Sequence, residues 1–248
     1  MRHRARDSIA KARVDSLATA KRPQQRRAVE RFERVLATAE TLLRTGGLRA
    51  FSIPAIADEL GCTRGSIYAH FPTPHAVLNE LSVRYLGQIF ARFAGMAGLS
   101  EMPWREGIRT GVHAAASFYD AHPVARMLIL GGAMTDAGFR AQELTVKQIA
   151  DLGRLAWKAR GIELPAEPDV AALAIDLGMA CFRRSVFAHG AITARYRETA
   201  AQVMIDFLEP FIDGAKSRNA GPSRSSNAGD GSSQGADRGA RGGRSGSR

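Results

Sequence analysis

The sequence predicts an all-α fold: a three-helix N-terminal head followed by a larger helical C-terminal domain, about nine helices in all. Three observations carry this expectation. The long segments between residues 25 and 213 repeat their apolar residues with helical period. None of them alternates apolar and polar residues as a half-buried strand would. Glycine and proline punctuate the chain at intervals that suit helix ends.

Residues 1–24 are rich in Arg, Lys and Ala and read as a flexible basic arm. The first helix is expected from Arg26 to Arg44, with Phe32, Val35, Leu36, Ala39, Leu42 and Leu43 on one stripe. Gly46 and Gly47 should end it. Ser52 can cap a short second helix whose first turn tolerates Pro54. Ile53, Ile56, Ala57 and Leu60 stand at i, i+3, i+4 and i+7, and Gly61 ends that helix after two turns. Cys62 is the core-facing turn residue. Thr63 caps a third helix, Arg64 to His70, anchored by Ile67 and Phe71.

A fourth helix is expected from Pro74 to about Phe93, burying Val77, Leu78, Leu81, Leu86, Ile89 and Phe93. A fifth begins near Pro103 and stops before His122. A sixth follows Pro123 and ends at Gly131. A seventh spans Phe139 to Arg160, an eighth Glu167 to His189, and a ninth Thr193 to about Glu209, where Pro210 stops or kinks it. Residues 214–248, mostly Gly, Ser, Arg, Ala and Asn, cannot offset ordering entropy and read as a disordered tail. The expected domains are therefore 1–24, 25–73, 74–213 and 214–248.

Charge is segregated along this plan. Of the net +11, residues 1–100 carry +8, residues 101–213 carry −2 and the tail carries +5. A positive end joined to a near-neutral middle suits a polyanionic partner for one end only. No apolar run is long enough for a membrane span, and no apolar run follows the basic N-terminus as in a secretion signal. Cys62 and Cys181 are far apart and lack metal-ligand spacing, so no metal or cofactor is expected. A reduced, cytoplasmic protein is the simplest reading.

Two short helices around a Gly-containing turn form a helix-turn-helix, whose second helix enters the DNA major groove. The segment CTRGSIYAHF fits that position. Thr63 can reach a phosphate, and Arg64 can pair with guanine O6 and N7 or with phosphate. Gly65 permits close backbone approach. Ser66, Tyr68 and His70 can give hydrogen bonds to the DNA, and Ala69 can touch a thymine methyl.

The longer segment SIPAIADELGCTRGSIYAHFPTPHAVLNEL, within residues 28–81, resembles the N-terminal part of the TetR family of transcriptional regulators. The Ile-Ala pair, the Gly turn and the Tyr-x-His-Phe run carry the resemblance. It implies a DNA-binding head joined by a long fourth helix to a C-terminal domain that dimerises and usually binds a small molecule. It also implies that Ser52, Thr63, Tyr68 and His70 contact the DNA backbone while Arg64, Gly65 and Ala69 lie near bases. Where the family often has Lys, this chain has Pro74, after the cap Thr73, so one phosphate contact is in doubt. Arg22, Arg26 and Arg27 are candidates to replace it, along the phosphates or in the minor groove.

In the larger domain, VAALAIDLGMACF (170–182) is apolar on nearly all sides; its own domain can cover one face and a second copy is the economical cover for the other, the alternative being a fully buried central helix in a monomer. Val170, Leu173, Leu177, Cys181, Met204 and Phe207 are the candidate homodimer residues. For a small-molecule effector, His113, Phe118, Tyr119, Met127, Met134 and Trp157 are candidates, with ordinary core packing as the alternative for each. The expected function is a ligand-responsive repressor that binds a palindromic double-stranded operator as a dimer. The rivals are a non-specific, nucleoid-type DNA-binding protein, acting through its basic termini, and an all-helical enzyme using His113 with Asp120, or His122. No catalytic motif supports the enzyme.

Overall fold

The structure is a computed structural model that describes residues 19–96, 98, 101–132 and 135–219, the last six as backbone only. Most of the basic arm, most of the tail and Met134 lie outside the described residues. The order is α1 (Arg26–Ala50), α2 (Ile53–Leu60), α3 (Arg64–Tyr68), α4 (Pro74–Ala94), α5 (Trp104–Ala121) and a short α6. α6 begins as one turn (Pro123–Ala125) and continues as a π-helix (Arg126–Leu130). α7 (Asp136–Lys158), α8 (Val170–His189) and α9 (Ala194–Asn219) complete the described chain, which contains no strand.

The first three helices enclose one small core. Phe32, Val35, Leu36, Ala39 and Leu43 of α1 are buried against Ile53 and Ile56 of α2 and Ile67 of α3. Phe71, just after α3, stacks on Phe32 with ring centroids 4.5 Å apart. Gly61 closes α2 in the left-handed conformation (φ 60°, ψ 39°), where its N–H caps Ala57 and Asp58. The regular run of the first helix ends at Gly46, and the span to Ala50 joins two helical segments across a kink. The chain takes a left-handed φ of 64° at Gly47 and then resumes helical geometry to Ala50.

Other boundaries depart from expectation for local reasons. Thr135 accepts from the Gly138 amide, so α7 starts at Asp136 rather than Phe139. Asp169 accepts from the Ala172 amide, so α8 starts at Val170 rather than Glu167. α3 ends at Tyr68, and Ala69 and His70 form a turn. Pro210 does not stop α9. It sits on the exposed side and forfeits one backbone bond, while Leu208 and Ile212 keep the helix on the core.

α8 and α9 pack along much of their length, with α5 against α9 and α7 against both α4 and α8. α4 is covered on several sides. Besides the expected apolar residues it buries Asn79, Glu80, Ser82 and Tyr85, whereas Phe93 is only half-buried. These polar groups tie α4 to its neighbours. Arg84 donates to both carboxylate oxygens of Glu33 on α1 (2.6 and 2.7 Å) and to Glu80 (3.2 Å). Arg22 donates to the same Glu80 (2.9 Å). Tyr85 donates to Glu40 of α1 (2.5 Å), and Thr135 donates to Asn79 (2.6 Å).

Candidate nucleic-acid interface and internal cavity

α3 is two-faced. Ile67 and Phe71 are fully buried, while Thr63, Arg64, Gly65, Tyr68 and Ala69 are exposed and Ser66 and His70 half-exposed. Local chemistry shapes the helix. Thr63 accepts from the Ser66 amide (3.4 Å), as Ser52 does from Ala55 (3.1 Å) for α2 and Thr73 from Ala76 (3.2 Å) for α4. The Ser66 hydroxyl donates to the Thr63 carbonyl (2.7 Å), which commits its one proton. Its lone pairs can accept but it has no proton left for a phosphate.

His70 sits 3.3 Å, through Nδ1, from the Lys21 carbonyl, which can only accept, so Nδ1 carries a proton. The Lys21 amide in turn donates to the His70 carbonyl (2.7 Å). This pair fastens the arm beside the end of α3. Lys21 therefore stands next to the exposed face, a cation that sequence periodicity did not single out. His75, exposed in the first turn of α4 beside Pro74, is a further polar side chain on that side.

The arginines proposed to replace a lysine at Pro74 divide. Arg22 is engaged by buried Glu80, and Arg26 pairs with Glu30 (3.0 Å). Arg27 is exposed and, like Arg64, has no ion-pair partner among the described residues. Gly65 is instructive in another way. A Cβ added there would meet nothing within 4 Å, so the fold alone does not demand glycine at this position.

A cavity of about 500 Å³ lies among α4, α5, α7, α8 and α9. Of the expected ligand residues it brings in Tyr119 and Trp157. The others described are elsewhere. His113 is half-exposed and pairs with Glu198 (3.0 Å) on the outside of the bundle. Phe118 stacks on His122 with centroids 4.4 Å apart. Met127 lies on α6 near Gly47. Periodicity placed these residues on helices without saying which side would be hollow. The residues it missed include Trp104 and Gln142, and neither carried a signal beyond its helical position. Burial drives the Tyr119 phenol upward, so it lines the cavity as a neutral group.

The candidate acid-base groups do not assemble. Asp120 pairs with Arg197 (3.0 Å), away from His113, whose partner is Glu198, and His122 is stacked on Phe118. Among the dimer candidates, Val170 and Met204 are buried inside the chain itself and belong to its own core. Leu173 and Leu177 remain exposed on α8, and Cys181 and Phe207 are half-buried. No helix among the described residues is long and apolar enough to cross a membrane, and none of them forms a metal-holding cluster.

Comparison with known proteins gives this geometry a context. Residues 35–81 match the family model described as bacterial regulatory proteins, tetR family. No curated protein matches the chain by sequence. Among solved structures, one described as a TetR-family regulator from Mesorhizobium loti superposes with a TM-score of 0.58 at 16% identity, covering 75% of this chain and 98% of its own. Another, a TetR-family regulator from Streptomyces coelicolor, gives 0.56 at 19% identity, covering 73% and 99%. At such identities these two speak for the fold. The family match covers residues 35–81, the helix-turn-helix part of the head, and the two structures show that the rest of the chain shares the fold.

Proposed function

We propose that the protein is a repressor that binds a near-palindromic operator as a homodimer in the cytoplasm and releases it in response to a small molecule. The observation that carries this reading is the division of α3. Its inward residues complete the head core, while Arg64, Gly65, Tyr68 and Ala69 face outward, and the Arg64 and Tyr68 side chains have no hydrogen-bond or ion-pair partner among the described residues. Residues 25–73 act as the DNA-binding unit and 74–213 as the regulatory and dimerisation unit.

In this reading Arg64 reads a base, and Gly65 and Ala69 let the backbone come close to base edges. Thr63, Tyr68 and His70 contact phosphates, as do Ser52 and Thr73 at the neighbouring helix starts, with Arg26 and Arg27 on the flank. Ser66 serves as an acceptor from a base amino group. Leu173 and Leu177 on α8, together with Phe187, which is 82% exposed, form the surface a second copy would cover. The two heads would then sit in successive major grooves, about 34 Å apart.

α4 supplies the route for a response. Over about 30 Å it runs from Thr73, beside α3, to Leu86, Ile89 and Phe93 in the cavity wall. A ligand that prefers another placement of α4 lowers operator affinity by its differential binding to the two states.

The test is selection of genomic fragments by the purified full chain, followed by gel shifts at several salt concentrations. A preferred, two-fold related site is expected, lost in Leu177→Asp protein that sediments as a monomer. Absence of any preferred site, or undiminished binding by that monomeric variant, overturns the reading.

A further inference from the structure

Resting on the reading of this chain as a ligand-responsive regulator, we infer that its effector is an uncharged, largely apolar molecule that presents a hydrogen-bond donor to Gln142 and an acceptor to Trp104. The cavity wall contains no Asp, Glu, Lys, Arg or His among the described residues. An ionised ligand would have to shed its water there without a counter-charge, a cost that apolar contacts do not recover. The volume, about 500 Å³, lies within the usual range for small organic molecules, about 300–1,000 Å³.

The polar requirement comes from two buried atoms. Gln142, 5% exposed, has its Oε1 without a hydrogen-bond partner, and so has Nε1 of Trp104, 7% exposed. Both residues line this cavity, with the two atoms themselves tucked behind its surface, so that a small turn of each side chain brings them to a ligand. Buried groups of this kind nearly always find partners, and leaving one unmet carries its full desolvation cost. The other polar groups of the wall are already engaged: the Thr145 hydroxyl donates to the Ala141 carbonyl (2.9 Å), and that of Tyr119 points at the Met179 sulfur (4.0 Å). A carboxamide oxygen asks for a donor and an indole N–H asks for an acceptor. A ligand that supplies both is favoured over an isostere that lacks either.

The chain offers its own reporter, because its only two tryptophans, Trp104 and Trp157, both line the cavity. Tryptophan emission of the purified full chain is titrated at neutral pH with decanamide, N,N-dimethyldecanamide and decanoate. Decanamide is expected to bind at least about tenfold more tightly than decanoate, and about fivefold more tightly than the dimethyl amide, which has no donor. Gln142→Leu should abolish the preference between the two amides. Trp104→Phe should weaken both amides alike, read through Trp157. The probe series in the unmodified chain decides the matter even if a variant folds poorly. Equal or tighter binding of decanoate, equal binding of the two amides, a preference that survives in Gln142→Leu, or no change in emission with any probe each overturns the inference. Gel shifts on the selected operator separate the two readings. Should decanamide bind in this pattern yet leave the operator complex intact, the ligand class stands and the regulatory response falls. Release by decanoate but not by decanamide sinks the ligand class and leaves the response standing.

Discussion

Ala39 of α1 and Ala115 of α5 are both small side chains on amphipathic helices, but they occupy opposite surroundings. Ala39 is fully enclosed within the filled core of the first three helices. Ala115 borders a cavity of about 500 Å³. The head spends its few large side chains on holding one short helix rigid, with its polar face outward. The body leaves its centre hollow, and two of the four buried polar atoms without partners among the described residues belong to the wall of that hollow. Packing density and function part company between the two regions: one presents a fixed surface, the other can accept matter.

The largest effect should come from emptying the filled side. Ile67→Ala removes the residue that pins α3, at a cost of about 2–5 kcal/mol. A fall in the denaturation midpoint together with loss of specific DNA binding is expected. A variant that melts lower yet binds its site unchanged would show that α3 does not need this anchor.

Adding volume sharpens the contrast further. Ala39→Leu should cost about 1–3 kcal/mol by overpacking. Ala115→Leu should change stability by less than about 1 kcal/mol, because the cavity takes the added methylenes, and it should weaken probe binding. Equal destabilisation of the two variants, measured by denaturant titration, would erase the distinction between the regions.

On the outward face of α3 the effects are smaller and differ in kind. Arg64→Ala should cost about 1–3 kcal/mol at the preferred site and alter which bases are chosen. Tyr68→Phe, which loses one neutral donor, should cost about 0.5–1.5 kcal/mol, equally on every sequence. Gel shifts on the selected site and on its point variants distinguish the two. Uniform loss in both variants would move base reading away from Arg64.

The smallest effect concerns the seam between α1 and α4. The hydrogen bond from Arg84 holds the Glu33 carboxyl below its ordinary value of 4.5. A depressed carboxyl contributes stability above the ordinary value and loses it as pH falls through the lowered one. Glu33 is half-exposed, so the contribution is less than about 1 kcal/mol. Glu33→Gln should therefore lower the urea midpoint slightly at pH 7, with the gap closing as pH falls below about 4. A gap that persists under acid conditions would place the effect in packing instead of charge.

Features made by residues close together in the chain are legible in its order of amino acids. Ser52, Thr63 and Gly61 announce the ends of α2 and α3 because caps are satisfied within three or four residues. The spacing of Ile53, Ile56 and Ile67 marks which side turns inward. The cavity is far less legible. His113 sits in an apolar stretch of sequence but faces Glu198, while Gln142, in an amphipathic helix of many polar residues, turns inward. Lys21 reaches the interface across 49 residues of chain by pairing with His70. Glu80, a carboxylate on a helix expected to be solvated on one side, is buried and paired with Arg22 and Arg84, which reach it from the surface.

The sequence alone determined the helices, the helix-turn-helix and the polar face of α3, because apolar period and end caps act over a turn or two of chain. Tertiary structure alone decided where the body is hollow, which polar atoms line it and which arginines are occupied, because those depend on how distant helices meet. Side-chain period places a residue on a face of its own helix. It does not say whether the opposing helix fills the space in front of it.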